Sequence, residues 1–507
     1  MLANLINKNI KYSAINYILV NLLKFIVRMV FIQTLPIEYL GINGLFTNVL
    51  AMLSLAELGI GPAIVYSLYR PLAVQDRETV KSIMAVFKRI YIAVGLIILV
   101  LGILLVPYLD WFIKSKSNIA DLQWFYIIFL LNTSVSYFWS YQRNLLIADQ
   151  KQYVVNIYQM AVQIVVAVLQ IVCLYLTADY WYFIILMLVG TVFENVLINI
   201  KAYKEYNYLY EPAQALNSEI KEEIVKNTKA MVAHKIGGMV VFSSSNIVIS
   251  KFVGLAAVGL YSNYYMVIAA VNAFASKFFE SIIASIGNLV VLGKDEEKLR
   301  AFKIIEFITA VQASVISVGL YVLFNPFIKL WIGDRYLFDN AVVVCIVISF
   351  YLMYMRKAVS MFKDANGLFW YDRYKPLAES VINLVASVYL AIHYGVVGVV
   401  IGSIISTLCT CFWVEPYILF KYGIKYSLKS YFVDYFKYTV LTVVAAIISK
   451  NIYDWLFAET SLLIFVLGGM LVVIFTITIW YVAFRNREEC KYIIKNVVGK
   501  MLKRASK

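Results

Sequence analysis

Runs of about twenty apolar residues follow one another along this chain roughly fourteen times, separated by short stretches rich in Lys and Arg. A helix of that length matches a hydrocarbon layer about 30 Å thick. Inside such a layer each backbone N–H and C=O must be paired within the protein, so an uninterrupted apolar run can only be a helix. With 62% hydrophobic residues among 507, fourteen crossings leave no stretch long enough for a soluble domain. The expected fold is all-α and polytopic, and function has to reside within the helical bundle.

The spacing predicts spans at about 12–35, 40–69, 83–109, 122–147, 153–176 and 180–203, then at about 229–251, 257–292, 303–330, 337–362, 374–394, 396–420, 434–456 and 460–484. The net charge of +15 is a matter of topology. With the N-terminus inside, about 35 basic residues fall on the inner side and six on the outer: Lys114, Lys116, Lys251, Lys329, Arg335 and Lys450. One miscounted span would invert every later loop, so this asymmetry predicts a multi-pass plasma-membrane protein with both termini cytoplasmic. No aromatic-plus-basic RNA motif or zinc-finger spacing accompanies the charge, which excludes nucleic acid as a partner.

Other chemistries find little support. The five cysteines show no paired spacing, Cys409 and Cys411 fall on different helix faces, and His234 and His393 are the only histidines, so no metal site is expected. No nucleophile–base pair or phosphate-binding Gly loop appears, and the chain is not expected to be an enzyme. Residues Met1 to Lys11 are polar and lead into a full-length span without a small-residue cleavage site, so that span is expected to be retained.

Two polar segments divide the chain. The first, 204–228, reads as a cytoplasmic linker helix, with Asn217 or Ser218 as cap and Glu219, Glu222 and Glu223 at its positive end. It separates residues 1–203 from 229–420, each with six spans; two more spans occupy 421–484. The second, 485–507, places Cys490, Ile493, Ile494, Val497, Val498, Met501 and Leu502 at helical spacing with lysines on the other faces, predicting a basic amphipathic tail on the inner leaflet. At an offset of 218 residues, Leu40-Gly41-Ile42-Asn43-Gly44 aligns with Val258-Gly259-Leu260-Tyr261-Ser262, a faint echo of internal duplication.

Charged residues deep in a span cost at least about 2.5–3.5 kcal/mol each, so each needs a reason. Lys24 and Arg28 stand four apart, on one face of the first span. That face is expected to line a cationic cavity. Glu57 follows in the second span, and Gly59, Gly61 and Pro62 are expected to break the helix there. Glu57 can instead neutralise Lys24 or Arg28 across adjacent helices. Lys235, next to His234, and Arg143 lie near cytoplasmic ends, where snorkelling accounts for them. Lys277 and Glu280, three apart in the eighth span, are either a local ion pair or cavity groups.

The stretch Tyr39-Leu40-Gly41-Ile42-Asn43-Gly44-Leu45-Phe46, with Leu53-Ser54-Leu55-Ala56-Glu57-Leu58-Gly59-Ile60-Gly61 and Tyr66-Ser67-Leu68-Tyr69, resembles Wzx-type polysaccharide flippases of the multidrug/oligosaccharidyl-lipid/polysaccharide exporter superfamily. The specific block covers about 35 residues, and the span layout extends a looser likeness over the whole chain. The resemblance implies two six-helix lobes around a central cavity, plus two C-terminal helices. It implies alternating access that moves an undecaprenyl-diphosphate-linked oligosaccharide from the inner to the outer leaflet, for capsule or exopolysaccharide synthesis. The implied partners are that lipid-linked oligosaccharide, membrane lipids, and a polymerase and glycosyltransferases of the same pathway.

On this reading Lys24, Arg28, Lys235 and Lys277 would meet the diphosphate. Asn21, Asn43, Asn48, Asn246 and Asn263 would meet the sugar. Glu57 and Glu280 would be the acids available for coupling. No cofactor is implied, and nothing in the residues selects proton, sodium or membrane potential as the driving force. A multidrug cation exporter of the same superfamily is the nearest rival, although it would want acids where Lys24 and Arg28 stand. A membrane polysaccharide polymerase or ligase is a second rival, and it would want a large outer loop that this chain lacks.

Overall fold

The computed structural model describes residues 2–54, 60–114, 119–215, 222, 243–457 and 461–495. Regular structure among the described residues is entirely helical, as the apolar runs demand. The helices are α1 (Leu2–Thr34), α2 (Ile37–Leu53), α3 (Ile60–Ala73), α4 (Arg77–Leu105), α5 (Leu122–Ala148), α6 (Gln152–Thr177) and α7 (Tyr180–Glu205). They continue as α8 (Leu255–Leu292), α9 (Asp295–Ile332), α10 (Asn340–Met355), α11 (Lys357–Ala365), α12 (Lys375–Cys409), α13 (Cys411–Ile418), α14 (Leu428–Leu456), α15 (Leu462–Phe484) and α16 (Glu488–Ile493).

Ten stretches among the described residues are long and apolar enough to cross a membrane. One of them, Lys375–Gly423, contains Gly395 at φ 58°, ψ −134°, a conformation only glycine adopts readily. The long α12 is therefore two helical pieces meeting at Gly395, where the sequence predicts one span to end and another to begin. Helix α5, 27 residues long, and the shorter α2 and α3 are not among those ten, although the apolar runs of the sequence predict spans there.

Helix ends follow local chemistry. Pro36 separates α1 from α2. The Asp76 carboxylate caps α4 by accepting from the Thr79 amide at 3.0 Å and the Thr79 hydroxyl at 2.6 Å. Asp179 caps α7 through the Trp181 amide at 2.9 Å, and Ser427 and Ser461 cap α14 and α15.

The chain divides into two compact units, Met1–Gly259 and Leu260–Lys507. In the first, α1 packs on α6 and α5 packs on both α4 and α7. A ladder of amides joins α1 to the start of α6. Asn9 donates to the Gln150 carbonyl at 2.7 Å and accepts from the Tyr153 amide at 2.9 Å; Asn156 donates to Ser13 at 2.8 Å, and Asn16 to Gln159 at 2.9 Å. In hydrocarbon such pairs cement helices, because an unpaired amide there has no water to turn to. An aromatic core gathers Phe31, Tyr39, Phe125 and Phe183 around buried Tyr180.

The segment after α7 is latched down. Glu211 meets Lys81 at 2.8 Å, Arg77 lies over the Tyr208 ring at 5.6 Å, and the Tyr206 hydroxyl donates to Asp149 at 2.5 Å. Burial, then this bond to Asp149, pushes the Tyr206 phenol well above its ordinary pKa. The expected linker 204–228 is described only through residue 215 and at Glu222.

In the second unit α9 is the central post, packing on α10, α14 and α15. Val318 and Val322 of α9 meet Ala445, Tyr453 and Val472 in its apolar core. The tail begins as α16, with Cys490 buried and Arg487 forked onto Asp434 of α14 at 2.5 and 3.2 Å. Burial alone would lower the Arg487 pKa, but Asp434 holds it above the ordinary value. Residues 496–507 of the amphipathic tail lie outside the described residues.

Candidate functional site

In the first unit the candidate site is one face of α1. Within the apolar stretch Lys11–Thr34, Lys24 lies about 20 Å from one end and about 15 Å from the other at 1.5 Å per residue. It is therefore near the middle of the crossing. Its side chain is exposed, and it makes no ion pair with any described residue. Arg28, one turn further along the same face, is half-buried. The polar residues of the other half of α1 have a different task, since Asn9, Ser13 and Asn16 are consumed by α6.

Glu57, Gly59 and Lys235 lie outside the described residues. Gly61 and Pro62 fall within the described part of α3.

The asparagines expected to meet a sugar are mostly occupied. Asn43 accepts the Tyr180 hydroxyl at 2.7 Å. Asn21 and Asn48 donate to carbonyls of their own helices, those of Tyr17 and Gly44, at 2.7 and 2.8 Å. Asn263 is fully buried. Arg143, expected to snorkel, instead meets Glu194 of α7 at 2.5 Å, and Glu194 is only 6% exposed. A carboxylate on a neighbouring helix is a closer counter-charge than the headgroup region, and only packing of α5 on α7 reveals it.

In the second unit Lys277 and Glu280 form an exposed i,i+3 ion pair at 2.7 Å. Beside them is a lysine that the sequence offers only as one more inner-side cation. Lys357, at the join of α10 and α11, donates to Asn272 at 2.9 Å and Ser276 at 2.6 Å, both on α8. Its ammonium sits over the Tyr354 ring at 4.3 Å and the Phe279 ring at 5.3 Å. No described carboxylate lies within ion-pair distance, so its charge is held by neutral oxygens and ring faces. No feature of the local sequence distinguishes it.

A buried ionic clasp fixes the opposite flank of α11. Arg356 takes Glu415 of α13 by both oxygens, at 3.0 and 2.8 Å, and approaches Glu379 at 3.7 Å. Lys375 pairs with Glu415 and lies 3.3 Å from Asp372, which also receives Lys363. No cluster of His, Cys, Asp and Glu among the described residues could hold a metal ion.

These features can be set beside known proteins. Residues 6–286 match the family model described as polysaccharide biosynthesis protein. No curated protein matches. Among solved structures, the chain is similar to lipid II flippase MurJ in an inward closed conformation, with TM-score 0.63 and 15% identity over 94% of this chain and 100% of that one. It is also similar to an inward-facing multidrug resistance MATE family transporter of the MOP superfamily, with TM-score 0.61 and 14% identity over 81% and 98%. A single-residue mutant of the Vibrio cholerae MATE transporter VcmN gives TM-score 0.54 and 15% identity over 82% and 97%. At such identities the likeness is one of fold. The family match spans more than half of the sequence, and the chain is a multi-pass membrane protein of the polysaccharide biosynthesis protein family, with a fold similar to those of MurJ and the MATE transporter.

Proposed function

We propose that this protein is a flippase that carries undecaprenyl-diphosphate-linked oligosaccharide repeat units from the inner to the outer leaflet of a bacterial plasma membrane, both termini being cytoplasmic. The observation that carries the reading is Lys24, a mid-span ammonium exposed on α1 and unmatched by any described carboxylate, with Arg28 one turn away. A mid-bilayer cation is costly, and a family that handles polysaccharide precursors supplies the reason to keep one.

A diphosphate needs such a partner, because an unpaired charge in hydrocarbon costs tens of kcal/mol in the Born limit. The Arg28 guanidinium can fork onto phosphate oxygens while Lys24 supplies a compact charge. Lys277 and Lys235 are further candidate phosphate contacts, and Glu57 and Glu280 are candidates for coupling to a proton or sodium ion. The prenyl chain would stay in lipid. Moving one negative charge outward across an inside-negative membrane releases about 2.3 kcal/mol per 100 mV.

The exported repeat units would feed capsule or exopolysaccharide assembly, with the polymerase and glycosyltransferases of that pathway as partners. The same unmatched cation disfavours the multidrug reading, since an organic cation would be repelled by it. A transporter rather than an enzyme also suits the fold.

The test uses the purified protein in liposomes carrying a lipid-linked oligosaccharide with a fluorescent sugar. A leaflet-selective quencher should report transfer of the head group at a rate well above that of protein-free liposomes. Organic-cation uptake by the same vesicles without lipid transfer would reverse the assignment.

A further inference from the structure

The loop between α11 and α12, residues 366–374, is fixed from below and carries a cluster of rings above. Below, Asp372 is 2% exposed and receives both Lys363 and Lys375, while Lys375 and Arg356 share Glu415. Every cation of this buried layer has a carboxylate. Above, Trp370 is 70% exposed and Tyr374 68%. The Arg373 guanidinium lies between them, 3.9 Å from the Trp370 ring centroid and 4.7 Å from that of Tyr374, with Nη1 donating to the Trp370 carbonyl at 2.8 Å.

The neighbouring turn after α13 completes the surface. Tyr371 stacks on Tyr422 with centroids 4.0 Å apart and planes 14° from parallel. Lys421 lies over the Tyr417 and Tyr422 rings at 5.1 and 5.2 Å and donates to the Tyr417 hydroxyl at 2.7 Å. Neither Arg373 nor Lys421 pairs with a described carboxylate. The two kinds of cation are thus sorted: those beneath are neutralised, and those on the rings keep their charge.

Position says what such a surface meets. The loop links the candidate spans Asn340–Ala365 and Lys375–Gly423, so it lies where the chain leaves the hydrocarbon and turns back. Tyr and Trp rings settle at headgroup depth in a bilayer, and cations at that depth attract lipid phosphate. An arginine stacked on a ring still presents its edge donors for forked bonds to an anion.

We propose that Arg373 and Lys421, framed by Trp370, Tyr371, Tyr374 and Tyr422, form a binding site for the phosphate head group of an anionic bilayer phospholipid. A bilayer supplies both halves of what the patch lacks, an anion for the two charges and an amphipathic layer for the rings. The buried clasp keeps the site preformed, so little ordering is lost on binding. The inference needs only that the chain spans a membrane and does not rest on the identity of the transported substrate.

The test is native mass spectrometry of the full-length protein released from nanodiscs of mixed phosphatidylglycerol and phosphatidylethanolamine. Retained phosphatidylglycerol should fall about fivefold for each charge removed, measured with R373A, K421A and the double variant. Phosphatidylethanolamine should be unchanged, and R373K/K421R should keep most of the retention. Should the double variant fail to fold, K421A alone decides, since Lys421 lies outside the clasp. Equal retention by wild type and variants, parallel loss of both lipids, or displacement of phosphatidylglycerol by the same concentration of inorganic phosphate would each overturn the proposal.

Discussion

Gly41 and Gly259, 218 residues apart, meet each other's helices in the same way. A Cβ on Gly41 would lie 2.0 Å from the Leu255 carbonyl oxygen, and one on Gly259 would lie 2.6 Å from the Ile37 carbonyl oxygen. Leu255 is itself 218 positions beyond Ile37, so the two contacts are images of one another. Small residues let helix backbones approach this closely in lipid, where packing has to do what water does elsewhere.

Gly41→Val and Gly259→Val should therefore each sharply reduce the yield of folded protein, because the obstruction is backbone and cannot move aside. Gly319 in α9 has nothing within 4 Å of the place a Cβ would occupy, and Gly319→Ala should leave the yield unchanged or raise it slightly. Fluorescence-detected size exclusion of the three variants checks the contrast.

The Arg356–Glu415 pair predicts a second asymmetry. Glu415 is 2% exposed and its oxygens are all engaged, so Glu415→Gln should destabilise the second unit by about 3–5 kcal/mol, leaving Arg356 and Lys375 short of charge. Replacing both partners, as in Arg356→Met/Glu415→Leu, should cost less than the single change. Thermal unfolding in detergent measures both.

On α1, Arg28→Ala should lower transport of the lipid-linked oligosaccharide by about 10–100-fold, the worth of a charge-assisted contact. Membrane insertion should be intact. Arg28→Lys should restore part of the rate but not all, since an ammonium cannot fork. Polymer export at the wild-type level by Arg28→Ala would exclude this face from the site.

Asp76 gives a pH test. Its bonds from the Thr79 hydroxyl and amide hold the carboxyl below the usual carboxylate range. A folded value lower than the unfolded value of about 3.9 means the cap is fully stabilising above that pH and is lost as pH falls through the folded value. Asp76→Asn, which still caps but does not titrate, should flatten this acid limb of the stability curve. The comparison is thermal unfolding of both proteins from pH 6 downward, to about pH 3.

The sequence alone determined the all-α fold and most of the helix boundaries. Those properties are local: apolar length dictates a crossing, and Pro36, Asp76 and Gly395 punctuate it whatever lies alongside. The shared face of Lys24 and Arg28 was equally legible, since a spacing of four residues fixes it. Which partner each charge finds was not. Arg143 with Glu194, Arg356 with Glu415 and Lys357 with Asn272 join positions 51, 59 and 85 residues apart, and their pairing depends on which helices pack together. Only tertiary structure decides that, because in a chain so uniformly apolar many helix neighbours satisfy hydrophobicity equally well and the rare close fits, such as Gly41 on Leu255, choose among them.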